Sequence, residues 1–358
     1  MQKLVYITHG LDIGGVEVAL ISAIPDLNKN FKLRVLVLGS INPQLIADLS
    51  ASEKEVFEEL NYPIIAYPIC WIFIIAKIKE INPDILISSL WRSSLIAGIY
   101  KRVRPKVKYF AFIHNTKFFH FLDEKFSKMA LKKADSILVD SVSSMKFVKE
   151  IFSGKQVSVV SFLTNHGPKT NIVRSLEDRK KIRFLYLGRI HRVKNLGLAL
   201  ELIKFLKDKG LNVCLDIYGR DDGDKENVKR QIIDSNLEGE CFFRGQIPHQ
   251  DRFGLFRDYD FFIQTSDFEG MAMSVAEAMQ NGLPCIITPV GEIPNYSSDM
   301  ISAIYLNKYI DEKTKLDQFN KVLDVIHTPS LYASISRQSH LEFANKKIYS
   351  ESLIEQIK

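Results

Sequence analysis

Cysteine is scarce in this chain, and its four residues, Cys70, Cys214, Cys241 and Cys285, stand far apart. No Cys-x-x-Cys pair occurs, which excludes a disulfide framework and a structural zinc site of the usual spacing. Long apolar runs are also missing. The most apolar stretch, 64–76, is 13 residues long and contains Pro68, short of the roughly 20 residues that cross a bilayer. It reads as a buried strand end followed by a core helix. The amino terminus lacks the cationic flank and apolar core of a signal peptide and enters a strand-like run directly, so a cytoplasmic protein is expected. No short-period repeat and no low-complexity segment interrupts the chain. A strong charge of one sign is absent as well: 48 basic residues against 42 acidic ones leave a net +6 over 358 residues. At that level the place of the excess matters more than its size.

What is present is a globular composition, 46% hydrophobic and 25% charged, in a chain longer than one hydrophobic core usually organises. Short β-branched runs alternate with helical patterns. In the first half they fall at 4–8, 33–38, 85–88, 109–114, 136–140 and 157–161, and in the second at 183–187, 213–218, 241–244, 260–264 and 285–288. Such alternation predicts parallel sheets with crossover helices, and here two doubly wound α/β domains. The polar stretch between them, with Asn165, Gly167 and Pro168, is the expected linker. The predicted division is 1–165, a linker at 166–181, a second domain at 182–340, and a carboxyl-terminal helix at 341–358 that packs back on the first domain. In open parallel sheets, ligands bind beyond the carboxyl ends of the strands. The loops after each run are therefore the places to seek chemistry.

One such loop carries two glutamates. Ser266-Asp-Phe-Glu269-Gly270-Met271-Ala272-Met273-Ser274 follows the run at 260–264, and an Ala-rich helical stretch reaches Glu277. Glu269 is expected in the loop and Glu277 in the first turn of the helix, beside backbone N–H groups able to hold phosphate. Carboxylates accept hydrogen bonds from sugar hydroxyls, which suits both to a nucleotide sugar. Taken alone, Ser274-x-x-Glu277 equally fits a capping box. The two glutamates with Gly270, followed by Gly282-Leu-Pro284 and Gly291-Glu-Ile-Pro294, resemble the family 4 retaining glycosyltransferases along nearly the whole chain.

That resemblance implies a GT-B fold, two Rossmann-like domains facing across a cleft, with the acceptor on the first and the nucleotide sugar on the second. It implies that Arg189 and Lys194, in the Gly188-Arg189-x4-Lys194 loop, contact the donor diphosphate. A lysine near a helix start is otherwise unfavourable. Gly14 and Gly15, before Glu17, let backbone approach the donor. His114, closing the run at 109–114, is expected to contact the donor sugar, with His9 a weaker candidate of the same kind. Gly219, Arg244 and Gly245 are expected beside the nucleotide, and Met271, Ala272 and Met273 in the donor loop. The usual aromatic residue and Gly or Pro after Glu-Gly are replaced here by that Met-Ala-Met. The catalytic set is then His114, Glu269, Arg189 and Lys194.

Asp222-Gly-Asp224 has the form that binds metal in the other main glycosyltransferase fold, yet it reads better as a solvated turn. No metal and no cofactor are expected. The segment 101–133 holds ten Lys or Arg against two acidic residues, with Phe118, Phe119, Phe121 and Phe126 among them. Beside the plain reading as a solvated helix face, this suits contact with an anionic inner membrane and a lipid-linked, undecaprenyl-type or glycan acceptor. Nucleic acid is not an expected partner. A nucleotide-sugar epimerase on the same fold and a non-catalytic sugar-nucleotide-binding protein are the alternatives.

Overall fold

The computed structural model describes residues 1–12, 14–62, 67–168, 174–177, 179–248, 251–307 and 311–358. The chain divides into two compact units, one of residues 1–165 with 347–358 and one of residues 166–346.

The first unit is built on a seven-stranded sheet of β1 (Lys3–Thr8), β2 (Lys32–Val37), β3 (Phe57–Glu59), β4 (Ile85–Ser89), β5 (Lys108–Ile113), β6 (Ser136–Val139) and β7 (Val157–Val159). Their order is β3-β2-β1-β4-β5-β6-β7 and every pairing is parallel. Parallel strands are covered on both faces, which is why they read as continuous apolar runs: Leu4, Val5, Tyr6 and Ile7 are all fully buried. Helices Gly15–Asn30, Tyr67–Ile81, Trp91–Val103, Phe121–Lys133 and Val142–Ile151 lie between successive strands. The strand end expected before the second of these falls on 63–66, outside the described residues. That helix is less a core helix than expected, since Ile72 and Phe73 are exposed.

The second unit repeats the scheme with β8 (Ile182–Leu187), β9 (Val213–Tyr218), β10 (Cys241–Gly245), β11 (Phe261–Gln264), β12 (Cys285–Ile287) and β13 (Ile304–Tyr305). The order is β10-β9-β8-β11-β12-β13, again all parallel. Each sheet therefore reverses its winding beside its first strand, between β1 and β4 and between β8 and β11. The crevice for a ligand opens at these switch points. The four cysteines are free and buried.

Two features differ from the sequence expectation. The stretch 166–181 is part of the second unit rather than a linker. The Arg174 guanidinium donates to the carbonyls of Tyr259 (2.8 Å), Phe256 (2.8 Å) and Asn281 (3.1 and 3.2 Å), while Arg179 pairs with the buried Asp260 at 3.1 Å. At the far end, the second unit continues through the helix Pro329–Leu341 to residue 346, and the helix Tyr349–Ile357 belongs to the first unit. There Tyr349 N–H donates to the Leu163 carbonyl at 2.7 Å, Ser350 donates to Asp26 at 2.7 Å, and the Tyr349 ring stacks on Phe112.

Candidate active site

The switch point of the second sheet is formed by the loops after β8 and β11. After β8, Gly188 N–H donates to the Tyr218 carbonyl, Ile190 N–H to the Arg220 carbonyl, and Asp222 N–H to the Ile190 carbonyl. These bonds carry the β8–β9 pairing past both strand ends. Gly219 makes the approach possible: a Cβ there would lie 1.7 Å from the Gly188 carbonyl oxygen. A single 3₁₀ turn, Arg192–Lys194, follows, and Asn195 at φ 45° turns the chain into the helix Leu196–Asp208.

The β11 loop is stitched to this one. Thr265 Oγ1 donates to the Asn195 carbonyl at 2.7 Å, Asp267 N–H to the Val193 carbonyl at 2.7 Å, and Asn195 Nδ2 to Asp267 Oδ1 at 3.2 Å. The stitching brings Lys194 Nζ to 2.7 Å from Glu269 Oε1. The same oxygen accepts from Gln264 Nε2 at 2.7 Å and Ser266 Oγ at 2.5 Å. Glu269 is buried and Lys194 largely so, with side-chain exposures of 8% and 15%. A buried ion pair holds only with good geometry and added hydrogen bonds, and three donors on one oxygen supply them. An ammonium has three N–H donors, so Lys194 keeps capacity for a ligand.

Beneath the loop, Glu292 N–H donates to the Gly270 carbonyl at 2.9 Å and Tyr296 Oη to the Met271 carbonyl at 3.2 Å. Gly291 sits against the Glu269 and Gly270 carbonyls. This is the physical content of the Gly291-x-x-Pro294 signature: it is a support for the Glu269 loop. Ala272, at φ 53°, then opens the helix Met273–Gln280 without a side-chain cap, and the Leu196–Asp208 helix also lacks one. Two uncapped helix starts thus follow the two loops, and such starts attract anions.

Several expectations change in detail. Glu277 lies in the second turn, as the fifth helical residue, and is buried. The capping box is not formed, because Ser274 Oγ donates to Gln264 Oε1 at 2.8 Å. Arg189 pairs with Asp222 at 2.6 Å. Arg244 turns its guanidinium back onto the buried Asp216 at 2.6 Å, where Tyr259 Oη also donates at 2.8 Å, so its side chain is committed within the sheet. Gly245, at φ 80°, accepts at its carbonyl from Gly219 N–H. Asp224 accepts from Asn227 and Asp221 from the N–H groups of Gly223 and Lys225. The acidic run is therefore tied into its own turn and to Arg189.

The first unit has its own cluster at the carboxyl edge of its sheet. Gly14 caps the helix Gly15–Asn30, and the Glu17 carboxyl folds over that start so closely that a Cβ on Gly14 would meet it. Burial raises the Glu17 carboxyl above its ordinary pKa. His9 accepts from Arg92 N–H at 2.7 Å, and burial lowers its pKa to about 3, so it is a neutral acceptor. His114, expected to project toward a sugar, has a ring only 3% exposed. Its Nε2 is 2.8 Å from Ser89 Oγ, its Nδ1 is 3.5 Å from Asp140, and its ring packs on Phe112. In this arrangement the ring is held by its own unit.

Residues 169–338 match the family of Glycosyl transferases group 1. That match spans most of the second unit. Among curated proteins, the chain is 24% identical over 246 residues to the poly(glycerol-phosphate) alpha-glucosyltransferase of Bacillus subtilis (strain 168), covering 66% of this chain and 35% of that protein. It is 21% identical over 234 residues to the poly(ribitol-phosphate) alpha-N-acetylglucosaminyltransferase of Staphylococcus aureus (strain COL), covering 63% and 46%. The chain thus spans about a third to a half of these relatives. Among solved structures, Anabaena Alr3699/HepE in complex with UDP matches with a TM-score of 0.79 at 16% identity, over 99% of this chain and 98% of that one. The lipopolysaccharide outer core galactosyltransferase WaaB matches with a TM-score of 0.72 at 18% identity, over 99% of each chain. The fold is GT-B.

Within the second unit, sequence reasoning missed Gln264, Ser266 and Tyr186. Gln264 and Ser266 fix the Glu269 carboxylate. Tyr186 donates to the Arg189 carbonyl at 2.7 Å, and burial, with Glu269 nearby, pushes its hydroxyl well above its ordinary pKa. Gln264 left a usable signal, a single amide ending the apolar strand Phe261-Phe-Ile-Gln264.

Proposed function

We propose that this chain is a retaining, metal-independent glycosyltransferase. It moves a hexose-type sugar from a nucleoside-diphosphate sugar to a hydroxyl of a glycan or lipid-linked acceptor, in bacterial surface-polysaccharide assembly. The observation that carries this reading is the largely buried Lys194–Glu269 pair at the β8/β11 switch point, followed by two helix starts without side-chain caps. HepE, solved with UDP and with UDP-glucose, and relatives named as alpha-glycosyl transferases support it.

In the proposed reaction, negative charge grows on the leaving diphosphate as the anomeric carbon becomes oxocarbenium-like. Lys194, Arg189 and the helix N–H groups stabilise that charge, and preorganised donors of this kind are each worth about 10²–10³ in rate. Glu269 fixes Lys194 and presents its remaining carboxylate oxygen to sugar hydroxyls, while Glu277 takes the ribose. The leaving phosphate oxygen accepts the acceptor proton.

Thermal stabilisation by UDP, GDP and ADP, each with its glucose conjugate, tests the reading. A ligand at 100 times its Kd adds about 2.7 kcal/mol, so one nucleotide is expected to raise the melting temperature clearly. The corresponding sugar donor is then expected to give product of unchanged anomeric configuration by NMR. No stabilisation by any nucleotide, or conversion of the donor alone into its epimer, would overturn the assignment.

The membrane part of the proposal rests on the first unit. Asp123 accepts from Phe119 N–H at 3.0 Å and His120 caps the helix Phe121–Lys133. These bonds hold Phe119 and Phe121 outward, 65% and 71% exposed, with Lys117 and Lys125 over their rings. Among the described residues no helix is long and apolar enough to cross a membrane. Contact would then be peripheral, on the inner leaflet of the cytoplasmic membrane. A burial worth about 1.5–3 kcal/mol per phenylalanine predicts that Phe119→Ser/Phe121→Ser weakens sedimentation with phosphatidylglycerol-containing vesicles by about tenfold or more. Equal binding by both proteins would remove this surface from the proposal.

A further inference from the structure

The two cations of the β8 loop are held in different ways. Lys194, 15% exposed, is paired with the buried Glu269. Arg189 is paired with Asp222 at 2.6 Å where the side chains are 52% and 32% exposed. An exposed pair is weak and exchanges readily, whereas a buried one does not. The carboxylate of Asp222 also offers the guanidinium the geometry that a phosphate offers it.

We propose that Asp222 is an internal competitor for the diphosphate: it occupies Arg189 in the empty site and gives it up when the nucleotide enters. This rests on the reading of Arg189 as a diphosphate ligand. Asp222 cannot leave the neighbourhood. Its N–H donates to the Ile190 carbonyl, and the turn after it is closed by Asp221, which accepts from Gly223 and Lys225 N–H. Once displaced, the carboxylate remains within reach of Arg189 and recaptures it as the nucleotide leaves. Asp222 therefore weakens nucleotide binding and speeds release of the nucleoside diphosphate after transfer. The Asp222-Gly-Asp224 sequence has a role here that involves no metal.

The test measures binding of the nucleoside diphosphate that stabilises the protein most, by calorimetry, to wild type, Asp222→Asn, Arg189→Ala and the double variant. Asparagine keeps the size and removes the charge. Asp222→Asn is expected to bind the nucleotide about fivefold more tightly, the scale of one exposed ion pair. The gain is expected to shrink at high salt and to vanish in the Arg189→Ala background. Wild-type affinity in Arg189→Ala would overturn the reading of Arg189 and the proposal with it. Weaker binding in Arg189→Ala with unchanged or weaker binding in Asp222→Asn would overturn the proposal alone, as would a gain that persists without Arg189. Melting of each ligand-free protein distinguishes a lost fold from a lost contact.

Discussion

Lys194→Ala is expected to lower kcat/KM for transfer by about three orders of magnitude and to destabilise the second unit at the same time. The two effects have separate causes. The rate effect follows from removing a fixed positive charge where negative charge develops, worth about 10²–10³ for one preorganised donor. The stability effect follows from leaving Glu269, 8% exposed, as a buried carboxylate without its cation. Breaking one side of a buried pair typically costs about 3–5 kcal/mol. The Gln264 and Ser266 bonds to Oε1 remain, which places the expected loss near the lower end. Adding Glu269→Gln to Lys194→Ala removes the stranded charge, so the double variant is expected to regain most of the stability while transfer stays low. Urea denaturation and initial rates on wild type, Lys194→Ala and the double variant check this. If the double variant recovered activity along with stability, Lys194 would be a structural cation and the catalytic assignment would fall.

How much of this was legible depends on the range of the interaction. The strands of both sheets were visible because buried parallel strands are continuous apolar runs. β3, whose sequence is Phe-Glu-Glu, and the two-residue β13 have no such run and were missed. Glu269 and Lys194 were legible as residues, since each follows a strand, but not as a pair. Their meeting depends on the adjacency of β8 and β11, some 75 positions apart in sequence. The linker expectation failed for the same reason. Composition alone marks 166–181 as polar and linker-like, whereas the carbonyls that receive Arg174 come from residues 256, 259 and 281. Ser274-x-x-Glu277 satisfied the local rule for a capping box, but Ser274 found Gln264, on the neighbouring strand. Arg244 likewise reads as a free cation at a strand end until the buried Asp216 on β9 is placed beside it.

Gly291 offers a test in which the fold survives and the site does not. A Cβ at this position would lie 2.2 Å from the Glu269 carbonyl oxygen and 2.6 Å from that of Gly270, and the backbone stands at φ 63°. Alanine in the left-handed region costs about 1–2 kcal/mol by itself. The contact cannot be relieved by turning a side chain, because both obstructing atoms are backbone. Relief therefore requires the Glu269–Gly270 segment to move by about 1 Å, and a misplacement of that size can cost about 10² in rate. Gly291→Ala is expected to keep a cooperative melt with a modestly lowered midpoint and to lose at least that factor in kcat/KM. Gly210 provides the control. It stands at φ 83° with open space where a Cβ would go, at the end of a helix away from the loop, so Gly210→Ala carries the backbone penalty without the collision. Its stability is expected to fall by a similar amount while its turnover stays at the wild-type level. Near-wild-type turnover in Gly291→Ala would mean that Glu269 keeps its position without this support, and the account of the Gly-x-x-Pro loop would have to be abandoned.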